Sequence, residues 1–304
     1  MPEPLSARPR LGAIRAVTHA VPDLSAIERA YTQFLGYHTA DRGSVPREVA
    51  HSWGAPSVAG RNYLTLEPES CEAVHLRFIE SPTAAGWRAL TTHGWNATEV
   101  VVQDVDALAA RLAASSPFRI IGEPRSLTRF PMIRATQALG PAGECLYFTQ
   151  VGARNGLELA VARSFVGRVF IAVAGGRDLK AMFATYADFA NETDAPVATP
   201  VRVISWANSL APETLHPHGL VKLPHGTLVE LDGYPRVTTK RRTPVGELPP
   251  GMAIVSFEFE HLERCSQTGP AAQALLPGTG AAATLKGAAG ELIELVEPST
   301  RESR

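Results

Sequence analysis

The chain has 304 residues, of which 45% are hydrophobic and 19% are charged, and its formal net charge at pH 7 is −1. This composition is typical of a folded globular protein, and the length allows two domains. A net charge so close to zero gives no electrostatic reason to expect nucleic acid or an anionic membrane as a partner. No run of about 18 apolar residues exists, so no membrane-spanning helix is expected.

The three cysteines, Cys71, Cys145 and Cys265, are far apart in the sequence. Their number and spacing match neither a disulfide framework nor a zinc motif. The first ten residues contain proline and arginine but no apolar segment of the secretory kind. Together these features predict a protein of the reducing cytoplasm.

One strand-like pattern recurs along the chain. Gly290 is followed by alternating apolar and acidic residues up to Pro298, residues 226–232 repeat this pattern, and residues 143–149 repeat it more loosely. Alternation with a period of two after a glycine turn predicts a half-buried strand. Recurrence at spacings of about 60–80 residues predicts a repeated structural module.

The first module is predicted to have the order β-α-β-β-β. A β-branched, apolar strand at 13–21 is followed by Asp23, a suitable N-cap for a helix at 24–35. Gly36 can end this helix in the left-handed conformation. Further strands are expected at 61–67 and 74–80, with an irregular loop or a short helix at 45–60.

Three more modules follow. The second has a strand at 98–102, a helix at 105–114 and a closing strand at 144–150. The third has a strand at 168–173, a helix at 178–189, and strands at 201–206, 219–223 and around Glu230. The fourth runs from a strand at 253–259 to the strand that contains Glu294, after a predicted linker at 236–250 that is rich in Pro, Lys and Arg.

The pattern Val17, Asp23-Leu24, Ala30-Tyr31 and Phe34-Leu35-Gly36-Tyr37, with the closing runs 143–148 and 290–295, resembles the vicinal oxygen chelate superfamily. That superfamily includes glyoxalases, extradiol dioxygenases and bleomycin-resistance proteins. The resemblance implies an α+β protein with two glyoxalase-like domains. Each domain would be a pair of βαβββ modules forming an open, cup-shaped mixed sheet, with modules one and two at 11–152 and modules three and four at 165–299.

The resemblance also implies a divalent metal inside the cup, with ligands from the first and closing strands. The first-strand positions hold residues that cannot donate a lone pair, namely Ala16, Ala97, Ile254 and either Arg168 or Ile171. The closing-strand positions hold Tyr147, Glu230 and Glu294. Two glutamates alone make a poor site for a first-row metal. No metal cofactor is therefore predicted, although a bound divalent ion stays an alternative.

Four candidate residues are expected in the N-terminal cup: His75, Arg77, Glu99 and Tyr147. Histidine and glutamate are suited to proton transfer and tyrosine is a weaker acid, which makes His75, Glu99 and Tyr147 candidate catalytic residues. Arginine can bind a carboxylate or an enolate through two hydrogen bonds, so Arg77 is a candidate substrate-binding residue. The alternative is an Arg77–Glu99 ion pair that only satisfies a polar interior.

The C-terminal cup is expected to contain Arg168, Glu230 and Glu294. Two carboxylates on symmetric strands can shift one another's pKa, so that one acts as base and the other as acid. Arg168 would bind substrate or, in the alternative, would only neutralise the two glutamates. Trp53 lies near a cup mouth and is a candidate to cover a ligand, although tryptophans commonly fill a core.

Other histidines are expected to be structural. His19 has the wrong strand parity for a cup, so a surface or helix-packing position is predicted. His216, His218 and His225 lie beside prolines and glycines, which predicts solvated loop residues rather than metal ligands.

The sequence thus favours a cytoplasmic, metal-independent isomerase, epimerase or lyase that acts on a carbon next to a carbonyl group. Its substrate would be a carbonyl compound or a metabolite derived from an aromatic compound. Two alternatives stay open. One is a non-catalytic binding protein of the bleomycin-resistance type, and the other is a metal-dependent glyoxalase or extradiol dioxygenase with ligands at other positions. The expected partner is a small molecule, with no nucleic acid and no membrane, and the chain could act as a monomer or as a homodimer.

Overall fold

A computed structural model describes residues 10–81, 87–127, 130–152, 158–187, 189, 192–265 and 268–299. Residues 1–9 lie outside this set, and the expectation about a secretory segment rests mostly on them. Within it, no helix is long and apolar enough to cross a membrane.

The first two modules have the predicted element order. Module one consists of β1 (Leu11–Val21), α1 (Leu24–Ala30), a π-helical turn (Tyr31–Leu35), β2 (His38–Ser44), α2 (Arg47–Ser52), a 3₁₀ turn (Pro56–Val58), β3 (Asn62–Glu67) and β4 (His75–Glu80). Module two consists of β5 (Gly94–Val102), α3 (Val105–Ser115), β6 (Arg119–Ser126), β7 (Ile133–Leu139) and β8 (Cys145–Val151).

The last two modules vary this order. Module three consists of β9 (Val166–Gly176), α4 (Leu179–Ala187), β10 (Glu192–Thr193), β11 (Val197–Pro200), α5 (Arg202–Ala207), β12 (Leu215–Leu223), a 3₁₀ turn (Pro224–Gly226) and β13 (Thr227–Gly233). Module four has no α-helix within its described residues, and consists of β14 (Gly251–Phe259), a 3₁₀ turn (Leu262–Arg264), β15 (Ala272–Gln273), β16 (Thr279–Lys286) and β17 (Leu292–Pro298).

The predicted helix ends in module one are confirmed. The Asp23 side chain accepts a hydrogen bond of 2.9 Å from the backbone N–H of Ala26, which satisfies one of the free donors at the start of α1. Gly36 has φ +72° and ends the following π-helical turn, a left-handed conformation that costs glycine little.

One predicted strand is a helix. Residues Arg202–Ala207 form α5, although 201–206 was expected to be a strand. Val203 and Ile204 have β-branched side chains, which favour strands, but both are buried on one side of this short helix. Packing of that side against the protein therefore outweighs the local preference.

Two mixed sheets carry the fold, and each curls into an open cup. Sheet A has the strand order β15-β16-β17-β14-β1-β4-β3-β2, and sheet B has the order β10-β12-β13-β9-β5-β8-β7-β6 with β11 paired to β12. We call their inner faces cup A and cup B. The predicted α+β class with paired βαβββ modules is confirmed.

The cups are not formed by the two halves of the chain, as expected for 11–152 and 165–299. β1 of module one pairs with β14 of module four, and β5 of module two pairs with β9 of module three. The first strand of each module has its closing strand on one edge and offers the other edge to a partner. All four first strands are apolar, so their pattern does not specify which two pair.

The largest hydrophobic core combines residues of both sheets, including Val17 and Phe257 from sheet A with Val100 and Phe148 from sheet B. His19 belongs to this region, where its Nε2 lies 3.1 Å from the Thr98 hydroxyl. Burial, assisted by Arg241, lowers the pKa of His19 to about 3, so this histidine is a neutral packing residue. That outcome agrees with its predicted position away from the cups.

Candidate functional site

Cup A contains a buried ion pair between its two modules. Nη2 of Arg77, on β4, donates a hydrogen bond of 2.9 Å to Oε2 of Glu294, on β17. Nε of Arg77 donates to the Thr18 hydroxyl at 2.9 Å, and its Nη1 donates to the Leu275 carbonyl at 3.0 Å. All three guanidinium nitrogens therefore donate hydrogen bonds to other residues of the protein.

Glu294 is equally well surrounded. The indole N–H of Trp53 donates to its Oε1 at 2.6 Å, and the hydroxyl of Ser256 donates to its Oε2. Burial by itself would raise the pKa of Glu294, but the Arg77 charge and these hydrogen bonds outweigh burial and lower it. Glu294 is therefore an ionised, fully paired carboxylate.

Cup A is closed to solvent at its centre. Thr18, Arg77 and Ser256 are 0% exposed and Glu294 is 1% exposed. Trp53, at the end of α2, packs into the cup with its ring 4.7 Å from the Arg77 guanidinium carbon. Arg77 and Glu294 are thus buried and fully paired, whereas the hydroxyls of Thr65 and Thr284 on the same face lack partners among the described residues.

Cup B holds an acid of a different kind. Glu99, on β5, accepts a hydrogen bond from the Thr149 hydroxyl on β8. Burial and the neighbouring carboxyl of Glu230 raise the pKa of Glu99 to about 8, against the smaller opposite effect of Thr149. At neutral pH the Glu99 carboxyl therefore carries a proton that it can give up.

Two more carboxyls lie on β13, where Glu230 and Asp232 share a face because they are two residues apart. Burial, Glu230 and Glu99 raise the pKa of Asp232 well above its ordinary range. Burial also raises the pKa of Glu230, while the nearby His218 acts in the opposite direction. Three carboxyls that influence one another cannot all ionise, so at least one proton is shared among them.

Two tyrosine hydroxyls add to this cluster. The buried hydroxyls of Tyr147 and Tyr234 have no hydrogen-bond partner among the described residues, whereas a protonated Asp232 carboxyl can donate to Glu230. The Tyr234 ring lies where a side chain on Gly175 would be, since a Cβ there would come within 2.1 Å of it. Buried polar atoms that lack partners are costly and point to a ligand or to ordered water.

Cup B is also more open than cup A. Glu99 is 8% exposed, Tyr147 is 7% exposed, and Ile171 and Leu228 are each 6% exposed. Glu230 is only partly buried. The carboxyl cluster and the two tyrosine hydroxyls thus lie in the cup whose central acids, Glu99 and Glu230, keep some contact with solvent.

The structure separates several predicted neighbours. The alternative Arg77–Glu99 ion pair is wrong, because Arg77 lies in cup A and Glu99 in cup B. Glu230 and Glu294 likewise lie in different cups and do not form an acid–base pair. The substrate and catalytic roles predicted for these residues stay predictions.

Two further candidates lie at the margins. Arg168 does not contact Glu230 or Glu294, since its Nε lies 3.1 Å from Glu72 and its Nη2 donates to the His225 carbonyl. His75 lies on β4 with its Nε2 3.5 Å from Glu67, and burial lowers its pKa. Neither residue joins the carboxyl cluster of cup B.

Sequence reasoning missed Asp232, Thr149 and His216. Asp232 and Thr149 share strand parity with Glu230 and Tyr147, so period-two alternation could have indicated both. His216 was expected in a solvated loop but is 2% exposed on β12, where its Nε2 lies 2.9 Å from the Ser205 hydroxyl. The prolines and glycines around it lie within a strand that other strands cover.

The residues of the two cups do not fit a first-row metal. In cup A the carboxylate that could be a ligand, Glu294, is bound by Arg77. In cup B the first-strand position is Ala97 and the closing strands provide Tyr147 and Glu230. Among the described residues, no group of three histidine, cysteine or carboxylate donor atoms within 4.8 Å of one another includes Glu294, Glu99 or Glu230.

Neither a family model nor a curated protein sequence matches the chain. Solved structures do match it. Glyoxalase I from Zea mays gives a TM-score of 0.60 at 15% identity, with 94% of this chain and 92% of that chain covered. A putative dioxygenase from Bacillus subtilis gives a TM-score of 0.59 at 12% identity, with 95% and 86% covered. Identities this low show the fold alone, so the chain has the glyoxalase/dioxygenase fold that the sequence resemblance implied.

Proposed function

We propose that this protein is a small-molecule enzyme whose working site is cup B, and that it catalyses proton transfer next to a carbonyl group. The observation that carries the proposal is Glu99, a buried acid with a pKa of about 8 on the wall of the more open cup. General acid–base catalysis is most effective when the pKa of the acid lies near the working pH. Glu99 meets this condition through its surroundings alone.

Glu230 is the base in this proposal. The pKa of Asp232 is raised well above its ordinary range, while the nearby His218 opposes the rise in the pKa of Glu230, so we assign the shared proton to Asp232 and the role of base to Glu230. Glu230 takes a proton from the carbon next to the carbonyl, and the electrons of that C–H bond form the carbon–carbon double bond of an enol or enolate. Glu99 then gives its proton to another carbon or to the opposite face of the same carbon. The proton that Glu230 gained returns to Glu99 directly or through solvent, so no co-reactant is consumed.

In this proposal Tyr147 stabilises the oxygen that becomes negative in this step. Its hydroxyl lacks a partner among the described residues, and Tyr147 is the register neighbour of Glu99 across β5 and β8. A hydrogen-bond donor aimed at developing charge in a water-poor site is a strong catalytic device. No arginine or lysine is among the causes of the pKa shifts of Glu99, Glu230 and Asp232, which favours a neutral carbonyl substrate over a carboxylate.

Hydrogen–deuterium exchange tests this proposal without knowledge of the substrate. A panel of small neutral ketones, hydroxyketones and aldehydes is incubated with the protein in D₂O, and exchange next to the carbonyl is followed by proton NMR. The expected result is enzyme-dependent exchange for at least one compound, reduced by a factor of about 10²–10⁴ in Glu99→Gln, which keeps the shape and loses the acid.

Trp53→Phe, a change in cup A, is the matched control and should keep the exchange rate. Exchange that survives Glu99→Gln would contradict the assignment of Glu99. Tight binding of a panel compound without any exchange would instead support the alternative of a binding protein.

A further inference from the structure

Three kinds of metal-binding atom come together at one end of sheet A. His38 on β2 and Glu67 on β3 are register partners, and Cys71 lies in the turn between β3 and β4. One ligand atom from each of these three residues lies within 4.8 Å of the other two. Nε2 of His38 and Oε1 of Glu67 are only 2.8 Å apart.

We propose that His38, Glu67 and Cys71 bind a divalent metal ion of the zinc type. An imidazole nitrogen, a carboxylate oxygen and a thiolate sulfur are the three donors that Zn²⁺ uses in proteins. A neutral imidazole with one carboxylate and one thiolate carries a charge of −2, which balances the ion. Mg²⁺ and Ca²⁺ are disfavoured because they prefer oxygen ligands throughout.

The turn that carries Cys71 is tied to the rest of the protein. Cys71 has φ +54°, an uncommon value for a residue other than glycine, and its N–H donates to the Pro68 carbonyl at 2.8 Å. The next residue, Glu72, forms an ion pair of 3.1 Å with Arg168 on β9 of sheet B and accepts a hydrogen bond of 2.9 Å from Ser70. These contacts fix the backbone of the turn, and the Cys71 thiol itself donates to the Glu69 carbonyl at 3.6 Å, with its sulfur within 4.8 Å of the His38 and Glu67 donor atoms.

A fourth residue orients the carboxylate. Nε2 of His75 lies 3.5 Å from Oε2 of Glu67, the oxygen that His38 does not contact. Groups that hold a ligand from its far side tune metal affinity in this way. Cys71 is exposed, so an ion can enter, and the fourth coordination position is open to water.

Cobalt titration of the reduced, chelator-treated protein tests the site. Bound Co²⁺ is expected at one ion per chain, with the near-ultraviolet absorption band that marks a cobalt–thiolate bond, and Zn²⁺ should displace it. Cys71→Ser should abolish the band, and His38→Ala and Glu67→Gln should weaken binding at least about tenfold.

Cys265→Ser is the matched control, since Cys265 is a second free cysteine distant in sequence from the cluster. It should keep both the band and the affinity. Zn²⁺ should raise the Tm of the wild type and of Cys265→Ser but not that of Cys71→Ser, because only a folded site binds the ion. The absence of saturable binding, or a cobalt–thiolate band that survives Cys71→Ser, would overturn the proposal.

Discussion

The guanidinium of Arg77 and the carboxylate of Glu294 lie 2.9 Å apart although 217 positions separate them in the sequence. Both are buried, at 0% and 1% exposure. This ion pair joins module one to module four within cup A. The pairing of these two modules is therefore stabilised by this ion pair as well as by backbone hydrogen bonds.

Arg77→Ala should lower the free energy of unfolding by about 3–5 kcal/mol, because it leaves Glu294 buried without its cation. Urea unfolding at pH 7 measures the change. The pKa of Glu294 lies below its ordinary value of 4.5 in the folded protein, so the stability from this pair is present above that value and is lost as the pH falls through the folded-state pKa. The loss in the free energy of unfolding caused by Arg77→Ala should therefore become smaller at acid pH.

Arg42→Ala is the control for that measurement. Arg42 pairs with Glu28 at 2.6 Å, but its side chain is 63% exposed. Solvent screening limits such a pair to about 0–1 kcal/mol. Equal losses in the two variants would contradict a special role for the buried pair.

Trp53→Phe should lower the free energy of unfolding by about 1–3 kcal/mol. Phenylalanine keeps an aromatic ring near Arg77 but removes the N–H that donates to Glu294 at 2.6 Å. A hydrogen bond to a buried charge is worth about this much. Equilibrium unfolding followed by far-ultraviolet circular dichroism gives the value, and no measurable loss would show that water replaces the indole N–H.

Glu99 should make the protein less stable as the pH rises. Its pKa is about 8 in the folded protein against an ordinary 4.5, so the stabilising proton is held fully below pH 4.5 and its benefit is lost as the pH rises towards 8. The slope from this one group is at most about 1.4 kcal/mol per pH unit. Glu99→Gln removes the slope.

The stability of Glu99→Gln minus that of the wild type should therefore increase between pH 5 and pH 8. Denaturant unfolding at several pH values measures it, and buried acids that do not interact with Glu99, such as Glu144 and Glu291, cancel in the difference. A difference independent of pH would mean that Glu99 titrates at its ordinary value.

Thr149→Val should raise the pKa of Glu99 further. The Thr149 hydroxyl donates to the Glu99 carboxylate and thus favours the ionised form, whereas valine keeps the shape without the donor. The pH at which activity is half-maximal on the Glu99 limb should move upward by the same amount. A downward shift would mean that the hydroxyl accepts a hydrogen bond from the protonated Glu99 carboxyl instead.

The module pattern could be predicted because it depends on local chemistry. Asp23 caps a helix and Gly36 ends one, while Gly143 and Gly290 take φ +81° and +87° at the turns before the closing strands. Each signal acts within a few residues of the chain. Such signals define one module completely and say nothing about its neighbour.

The partners across the sheets could not be predicted for the same reason. Glu99 approaches Glu230 only because β5 pairs with β9, and Arg77 reaches Glu294 only because β1 pairs with β14. Pairing module one with two and module three with four therefore assigned only half of each cup's residues to the correct cup. The metal donors His38 and Cys71 also come together through strand register and a turn, not through a recognisable spacing.

The most direct test of the account is a carbon-13 NMR titration of protein labelled at the glutamate side-chain carboxyl. Comparison with Glu99→Gln identifies the Glu99 signal by its disappearance. This signal is expected to titrate with a pKa of about 8. A Glu99 signal that titrates near its ordinary value of 4.5 would contradict the claim that cup B holds a proton donor at neutral pH.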